Sequence, residues 1–186
     1  MKPFSAVILG GGRSTRMGST KALVEIGGVP LWRRQVALVQ KLGPLDLMIS
    51  SGTDWEPGEG PWTVVRDRVA GLGPLGGIQA ALESMSTELL LVLAVDMPDM
   101  SLKFLERLAA LAGPKGVVPE QCAFYQGLAA IYPRSVKDLV DEALLGKDRS
   151  LQSLVARAVS ASLVASLSIE AADRPLFRNV NSPRDF

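Results

Sequence analysis

Val7-Ile8-Leu9-Gly10-Gly11-Gly12-Arg13-Ser14-Thr15-Arg16-Met17-Gly18-Ser19-Thr20-Lys21 is the stretch that decides how the rest of the chain is read. A short apolar run, Ala6 to Leu9, empties into three glycines, and two arginines, several hydroxyl residues, another glycine and a lysine follow. Glycine lets the backbone turn with positive φ and brings N–H groups close to a ligand. Arginine and lysine at the same place neutralise phosphate oxygens. The stretch therefore reads as a strand that ends in a polyphosphate cradle. It is not a Walker loop, which needs glycine-lysine followed by a hydroxyl residue, because Ser19-Thr20 separate Gly18 from Lys21. Nor is it a dinucleotide fingerprint, because Thr15 stands where the third glycine belongs.

Working outward, 186 residues with 47% hydrophobic and 21% charged content predict one globular domain, 1–186. A net charge of +1 supplies no bulk basic field for nucleic acid or an anionic membrane, so an anionic substrate must be met by local cations. With no histidine, the usual zinc sites, a Ser-His-Asp triad and any imidazole base are ruled out. The lone Cys122 builds no disulfide framework, which fits a reducing compartment. The longest apolar run, Leu89 to Val95, falls far short of the ~18 residues a membrane span needs, and the opening residues do not form a signal peptide. A cytoplasmic protein is expected.

Strand and helix patterns alternate along the chain. Ala22 to Ile26 reads as a short strand before a Gly27-Gly28 turn, and Pro30 opens a helix carrying Leu31, Gln35, Leu38 and Leu42 near one face. Leu45 to Ser50 and Trp62 to Val65 read as strands around a polar loop, the second ending at Arg66-Asp67. A second glycine cluster, Gly71 to Gly77, precedes a helix with Ile78, Ala81, Leu82 and Met85 inward. Leu89 to Val95 is apolar on both faces, as a central strand must be. Ser101 caps a helix to about Ala112, with Leu102, Leu105, Leu108 and Leu111 inward. Strands at Gly116 to Pro119 and Gln126 to Tyr132, helices at Pro133 to Leu145 and Ser150 to Ala158, and an edge strand within Ala161 to Ile169 complete the pattern. The fold class is α/β with a mostly parallel central sheet.

In open α/β sheets ligands bind beyond the carboxyl ends of the strands. The first cradle, Asp67 and Asp96 all fall at such ends. Asp96 follows the most apolar strand and is suited to hold Mg²⁺ against a nucleotide; the alternative is an ordinary turn aspartate ahead of Pro98. For Asp67 the alternative is a solvated loop residue between Arg66 and Arg68.

Leu9-Gly10-Gly11-Gly12, Arg16-Met17-Gly18 and Lys21 resemble the opening signature of the molybdenum cofactor guanylyltransferases, small members of the nucleotidyltransferase superfamily. Leu93-Ala94-Val95-Asp96-Met97-Pro98, Gly73-Pro74-Leu75 downstream of Asp67, and Phe177 to Asp185 with its Asn179-Val180-Asn181-Ser182-Pro183 core resemble later segments of the same family, as do Gly127 to Pro133 and Arg149-Ser150-Leu151 on the acceptor side. Three departures stand out: Gly10 replaces the family's alanine, Thr20 an aspartate, and Ser50 an asparagine that follows the second strand.

The resemblance implies a three-layer, Rossmann-like nucleotidyltransferase fold, with a nucleotide-binding half over 1–100 and an acceptor-binding half over 101–186. It implies transfer of GMP from GTP to molybdenum-molybdopterin with release of pyrophosphate. Arg16, Lys21 and Asp96 would be catalytic; Leu9, Gly10, Gly11, Gly12, Lys21, Asp67 and Asp96 would bind the nucleotide, the glycines through backbone N–H groups; and Asp96 with Asn181 would hold Mg²⁺. Asn181 and Ser182 have an alternative reading as the cap of a last helix. GTP and molybdopterin are the expected partners, with room for molybdenum-insertion or molybdoenzyme-maturation proteins. A cytidylyl or adenylyl transferase on the same fold, or a non-catalytic protein that delivers GTP or cofactor, stays open. Trp32, Trp55 and Trp62 read as packing or loop residues.

Overall fold

The structure, a computed structural model, describes residues 2–11, 20–52, 55–67 and 71–180. In chain order the elements begin with β1 (Ser5–Leu9), a 3₁₀ turn at Lys21–Leu23, β2 (Glu25–Ile26), β3 (Val29–Pro30), α1 (Leu31–Gln40), β4 (Asp46–Ser50), β5 (Thr63–Val65), α2 (Pro74–Ser84) and β6 (Leu89–Ala94). They continue with α3 (Leu102–Leu111), β7 (Gly116–Gln121), β8 (Phe124–Tyr125), β9 (Ala129–Pro133), a 3₁₀ turn at Arg134–Val136, α4 (Lys137–Leu145), α5 (Leu151–Ser160), β10 (Val164–Ser168) and a 3₁₀ segment at Ala171–Phe177.

One sheet runs β10-β7-β9-β6-β1-β4-β5, with β8 added to β7. The β6-β1-β4-β5 half is parallel throughout, and β10 is parallel to β7. β9 runs antiparallel to both β6 and β7. Side chains alternate across the pleat. Ala6 and Ile8 of β1 and Leu91 and Leu93 of β6 join α1 and α3 in one apolar layer. Val7, Leu9, Leu90 and Val92 join α2, α4 and α5 in the other. Both faces are covered, so β6 is buried at every position, as its unbroken apolar run requires. The result is the expected three-layer α/β architecture. Among the described residues no helix is long and apolar enough to cross a membrane.

Several local expectations shift. The Ala22 to Ile26 stretch divides into the Lys21–Leu23 turn and β2, which pairs with β3 in a separate two-stranded ribbon around Gly27-Gly28. Within α3, Leu111 is 54% exposed, because the face covered by the sheet is centred on Phe104, Leu105 and Leu108. The strand expected from Gln126 starts at Ala129, whose N–H bonds back to the Gln126 carbonyl at 3.0 Å and makes residues 126–128 a turn. Pro133, expected to open a helix, is the last residue of β9 opposite Leu89. Other expectations hold in detail. Ser101 caps α3 by accepting from the Phe104 N–H at 3.2 Å, and Ser150 caps α5 from Ser153.

The end of the sheet opposite the glycine loop is fastened by a polar cluster. Asp46 Oδ2 accepts from Ser5 Oγ at 2.6 Å and from both the N–H and the hydroxyl of Ser86 at 2.7 Å. Ser5 Oγ also meets Thr87 Oγ1 at 2.8 Å. Burial pushes the Asp46 carboxyl up, but the bonds from Ser5 and Ser86 outweigh it and hold the group below the ordinary carboxylate value. A depressed acid stabilises the fold above its unfolded pKa of about 3.9, and that contribution is lost as pH falls through the folded value. Asp46→Asn is therefore expected to cost about 1 kcal/mol at neutral pH, on the order of 2–4 °C in Tm. The gap to the wild type should close below about pH 4; thermal melts across pH check this, and a gap independent of pH would remove the carboxylate's role.

Candidate active site

The chain leaves β1 for β4 and β5 on one side and returns to β6 on the other, so the carboxyl ends of β1, β4 and β6 surround a topological switch point. A cleft of about 140 Å³ opens there. Leu9 and Gly11 line it from β1, Ser50 from β4, Ala94 to Asp96 from β6, and Lys21, Asp67 and Leu128 from the surrounding loops.

Asp96 is fixed by the backbone around it. The Val95 N–H donates to the Leu9 carbonyl at 3.2 Å, tying the end of β6 to the start of the glycine loop. Gln35, buried in α1, donates its side-chain amide to the Met97 carbonyl at 2.6 Å. The Asp96 carbonyl accepts from the Val180 N–H at 2.9 Å. This turn is thus held from β1, from α1 and from the C-terminal segment.

The Lys21 ammonium donates to Asp96 Oδ2 at 3.0 Å, across 75 positions of sequence, with the two side chains 23% and 17% exposed. The other oxygen, Asp96 Oδ1, is buried and has no hydrogen-bond partner among the described residues. A buried carboxylate oxygen left without a donor is costly unless something positive completes it. Asp96 therefore fits a divalent cation. Among the described residues no cluster of three or more His, Cys, Asp or Glu exists, so such an ion would take one carboxylate and draw its remaining ligands from water and phosphate, the habit of Mg²⁺.

Asp67 follows β5 and rests against the first turn of α2. A Cβ at Gly76 would stand 2.5 Å from Asp67 Oδ2, and one at Gly77 would stand 2.5 Å from Ser50 Oγ. These two glycines let the start of α2 lie directly against the ends of β4 and β5. Burial raises the Asp67 carboxyl above its ordinary value.

Of the residues expected from sequence, the cleft brings together Leu9, Gly11, Lys21, Asp67 and Asp96. Gly10 differs from expectation in one respect: its N–H donates to the Ser50 carbonyl at 2.9 Å, so it is engaged by the sheet and is not a free donor for phosphate. Gly12, Arg16 and Asn181 lie outside the described residues, although Asn181 is the chain neighbour of Val180 on the Asp96 carbonyl. Sequence reasoning missed Gly77 and Leu128 as walls, and the signal for Gly77 was the Gly76-Gly77 pair at a helix start, where propensity argues against glycine unless something packs close. It left Trp55 as a packing or loop residue; the ring is buried at 6% exposure and lies beside Gly10, a place the sequence does not show.

Residues 6–163 match the family described as MobA-like NTP transferase domain. The chain is 31% identical to a probable molybdenum cofactor guanylyltransferase of Opitutus terrae, over 98% of this chain and 92% of that protein. It is 32% identical to a molybdenum cofactor guanylyltransferase of Pseudomonas putida, over 98% of this chain and 95% of that one. Among solved structures, molybdopterin-guanine dinucleotide biosynthesis protein A from Archaeoglobus fulgidus superposes with a TM-score of 0.73 at 24% identity, covering 97% of this chain and 94% of that one. A 2-C-methyl-D-erythritol 4-phosphate cytidylyltransferase from Thermus thermophilus superposes with a TM-score of 0.69 at 17% identity, covering 96% and 93%. At those identities the two structures speak to the fold alone.

The raised carboxyl of Asp67 gives a pH test. A ligand that needs the ionised carboxylate loses affinity as pH falls through the raised value, earlier than for an ordinary aspartate. GTP affinity measured by calorimetry from neutral pH down to the ordinary aspartate pKa of ~4 should fall more steeply for the wild type than for Asp67→Asn, which should also discriminate less against ATP. Equal slopes and full retention of GTP preference would return Asp67 to the role of a loop residue.

Proposed function

This chain belongs to the MobA-like NTP transferase family, and on that premise we propose that it transfers GMP from GTP to molybdenum-molybdopterin, forming the guanine dinucleotide cofactor and pyrophosphate. The relatives' names supply the substrates. The observation in the structure that carries the reading is the Lys21–Asp96 pair at the switch point, with Asp96 Oδ1 left for a cation.

In this reading an oxygen of the acceptor's terminal phosphate bonds to the α-phosphorus of GTP, and the bond from that phosphorus to the bridging oxygen breaks, with pyrophosphate carrying away the electron pair. The residues position groups and offset charge, as phosphoryl chemistry mainly requires. Lys21, which lines the cleft beside Asp96, would meet triphosphate oxygens and relieve the repulsion between donor and acceptor. Arg16, between Gly11 and Lys21 in the sequence, would add a second cation. The Asp67 carboxylate accepts hydrogen bonds from guanine N1 and N2 or from the ribose hydroxyls. Gly11 and Gly12 offer backbone donors to phosphate, while Gly10 holds the loop to β4. Asp96 would hold Mg²⁺, with Asn181, the next residue in the chain after Val180, as a second ligand, and the ion would withdraw charge from the phosphates. The acceptor phosphate's second pKa lies near ~6, so the nucleophile is already anionic at neutral pH and no general base is required. That agrees with a chain lacking histidine. The 101–186 half would carry the acceptor, and the protein would work in the cytoplasm.

Pyrophosphate release measured with each of the four nucleoside triphosphates, with and without molybdopterin acceptor, tests the proposal. Acceptor-dependent release with GTP alone is expected; preference for CTP or ATP would make it a relative with another base. Asp96→Asn keeps shape and removes charge, and should lower turnover on the order of 10²-fold with the fold intact. Lys21→Ala should weaken GTP binding and slow turnover, with Lys21→Arg restoring only part, because a fork replaces a point charge. Near-native rate and Mg²⁺ dependence in Asp96→Asn would move the metal elsewhere.

A further inference from the structure

What lies behind the main chain at Gly10 leaves room for glycine there. A Cβ built on Gly10 would fall 2.4 Å from Trp55 Cζ2 and 3.2 Å from Cε2, with the Ser50 carbonyl at 3.3 Å on its other side. No side chain, not even a methyl, fits between Trp55 and the main chain at this position. The indole is not free to step aside. Trp55 is buried, its ring centroid lies 5.6 Å from that of Trp32, and Trp32 meets Trp62 edge-on at 5.5 Å. Arg33 covers Trp32 from outside at 5.2 Å, and the Trp62 N–H is anchored to the Gly58 carbonyl at 3.2 Å. The Trp55 Nε1 is buried without a hydrogen-bond partner among the described residues, so packing places the ring.

We propose that Trp55 is a positioning residue for the nucleotide cradle: its indole is the floor on which the Gly10 main chain rests, and glycine at position 10 is the compensation that makes room for it. The inference rests on the reading of the Leu9 to Lys21 stretch as a nucleotide site. The Gly10 N–H to Ser50 bond clamps the loop from the β4 side, and the indole supports it from the α1 side. Together they fix the height at which the Gly11 backbone enters the cleft. The cradle of this chain is thus carried by an aromatic cluster outside the motif that defines it.

A double-mutant cycle tests this in the full chain. Gly10→Ala should raise the Kd for GTP, read by calorimetry, about 10-fold, whereas in the Trp55→Leu background the same substitution should cost less than about 3-fold, since removing the ring readmits the methyl. Wild-type affinity in Gly10→Ala, or losses that simply add in the double variant, overturns the proposal. Should Gly10→Ala fail to fold, Trp55→Leu alone decides. Its KM for GTP should rise about 10-fold, with kcat at saturating GTP within about 2-fold of wild type, a split that general loss of structure does not produce. An unchanged KM overturns the inference. The same cycle read by thermal melting without nucleotide reports the Gly10–Trp55 contact independently. A wild type that binds no GTP while the melting cycle shows coupling refutes the functional reading, and the inference with it; a wild type that binds GTP without coupling refutes the inference alone.

Discussion

Everything at the site depends on the parallel pairing of β1 with β6. Its register sets Leu9 beside Ala94, and the Val95 N–H reaches back to the Leu9 carbonyl. That register decides that the glycine loop and Asp96 emerge at the same end and the same height. A slip of one residue would send Asp96 to the opposite face, because side chains alternate with period two. The register is secured by burial, since both strands are buried throughout and sit between two helical layers.

From that pairing the site is assembled by close approach. Glycine recurs wherever an element must come nearer than a side chain allows: Gly76 against Asp67, Gly77 against Ser50, Gly10 against Trp55. The two in α2 are costly for an isolated helix, by roughly 1 kcal/mol each relative to alanine. Tertiary packing carries that cost, and in return the Asp67 carboxylate is held half-buried at the cleft. The same burial raises its pKa, so the geometry that presents the carboxylate also makes its charge sensitive to pH.

The C-terminal segment is drawn into the site by contacts remote from it. Phe177 packs edge-on to Phe104 of α3 at 5.2 Å, Arg107 pairs with Asp173, and Arg178 donates to Asp99 at 2.8 Å. These contacts lay the Ala171–Phe177 segment along α3 and deliver Val180 to the Asp96 carbonyl. One end of the Asp96 turn is therefore supported by residues that follow the last strand of the sheet.

By itself the sequence determined the alternation of strands and helices, the central place of Leu89 to Val95, the serine caps of α3 and α5, and the residues that would carry chemistry at strand ends. These are local matters: hydrophobic period, glycine and proline punctuation, and short motifs whose meaning travels with their spacing. The family name was legible because several such motifs occur in the right order, and the relatives bear it out. Only the tertiary structure decided that Lys21 and Asp96, 75 positions apart, form an ion pair, and that Gly10 gives its N–H to Ser50. Only it showed the orphaned oxygen of Asp96 and the indole beneath Gly10. The reason is physical. Which atoms meet, and which are left without a partner, is fixed by sheet register and by the depth at which helices pack, and neither is written in any one segment of the chain.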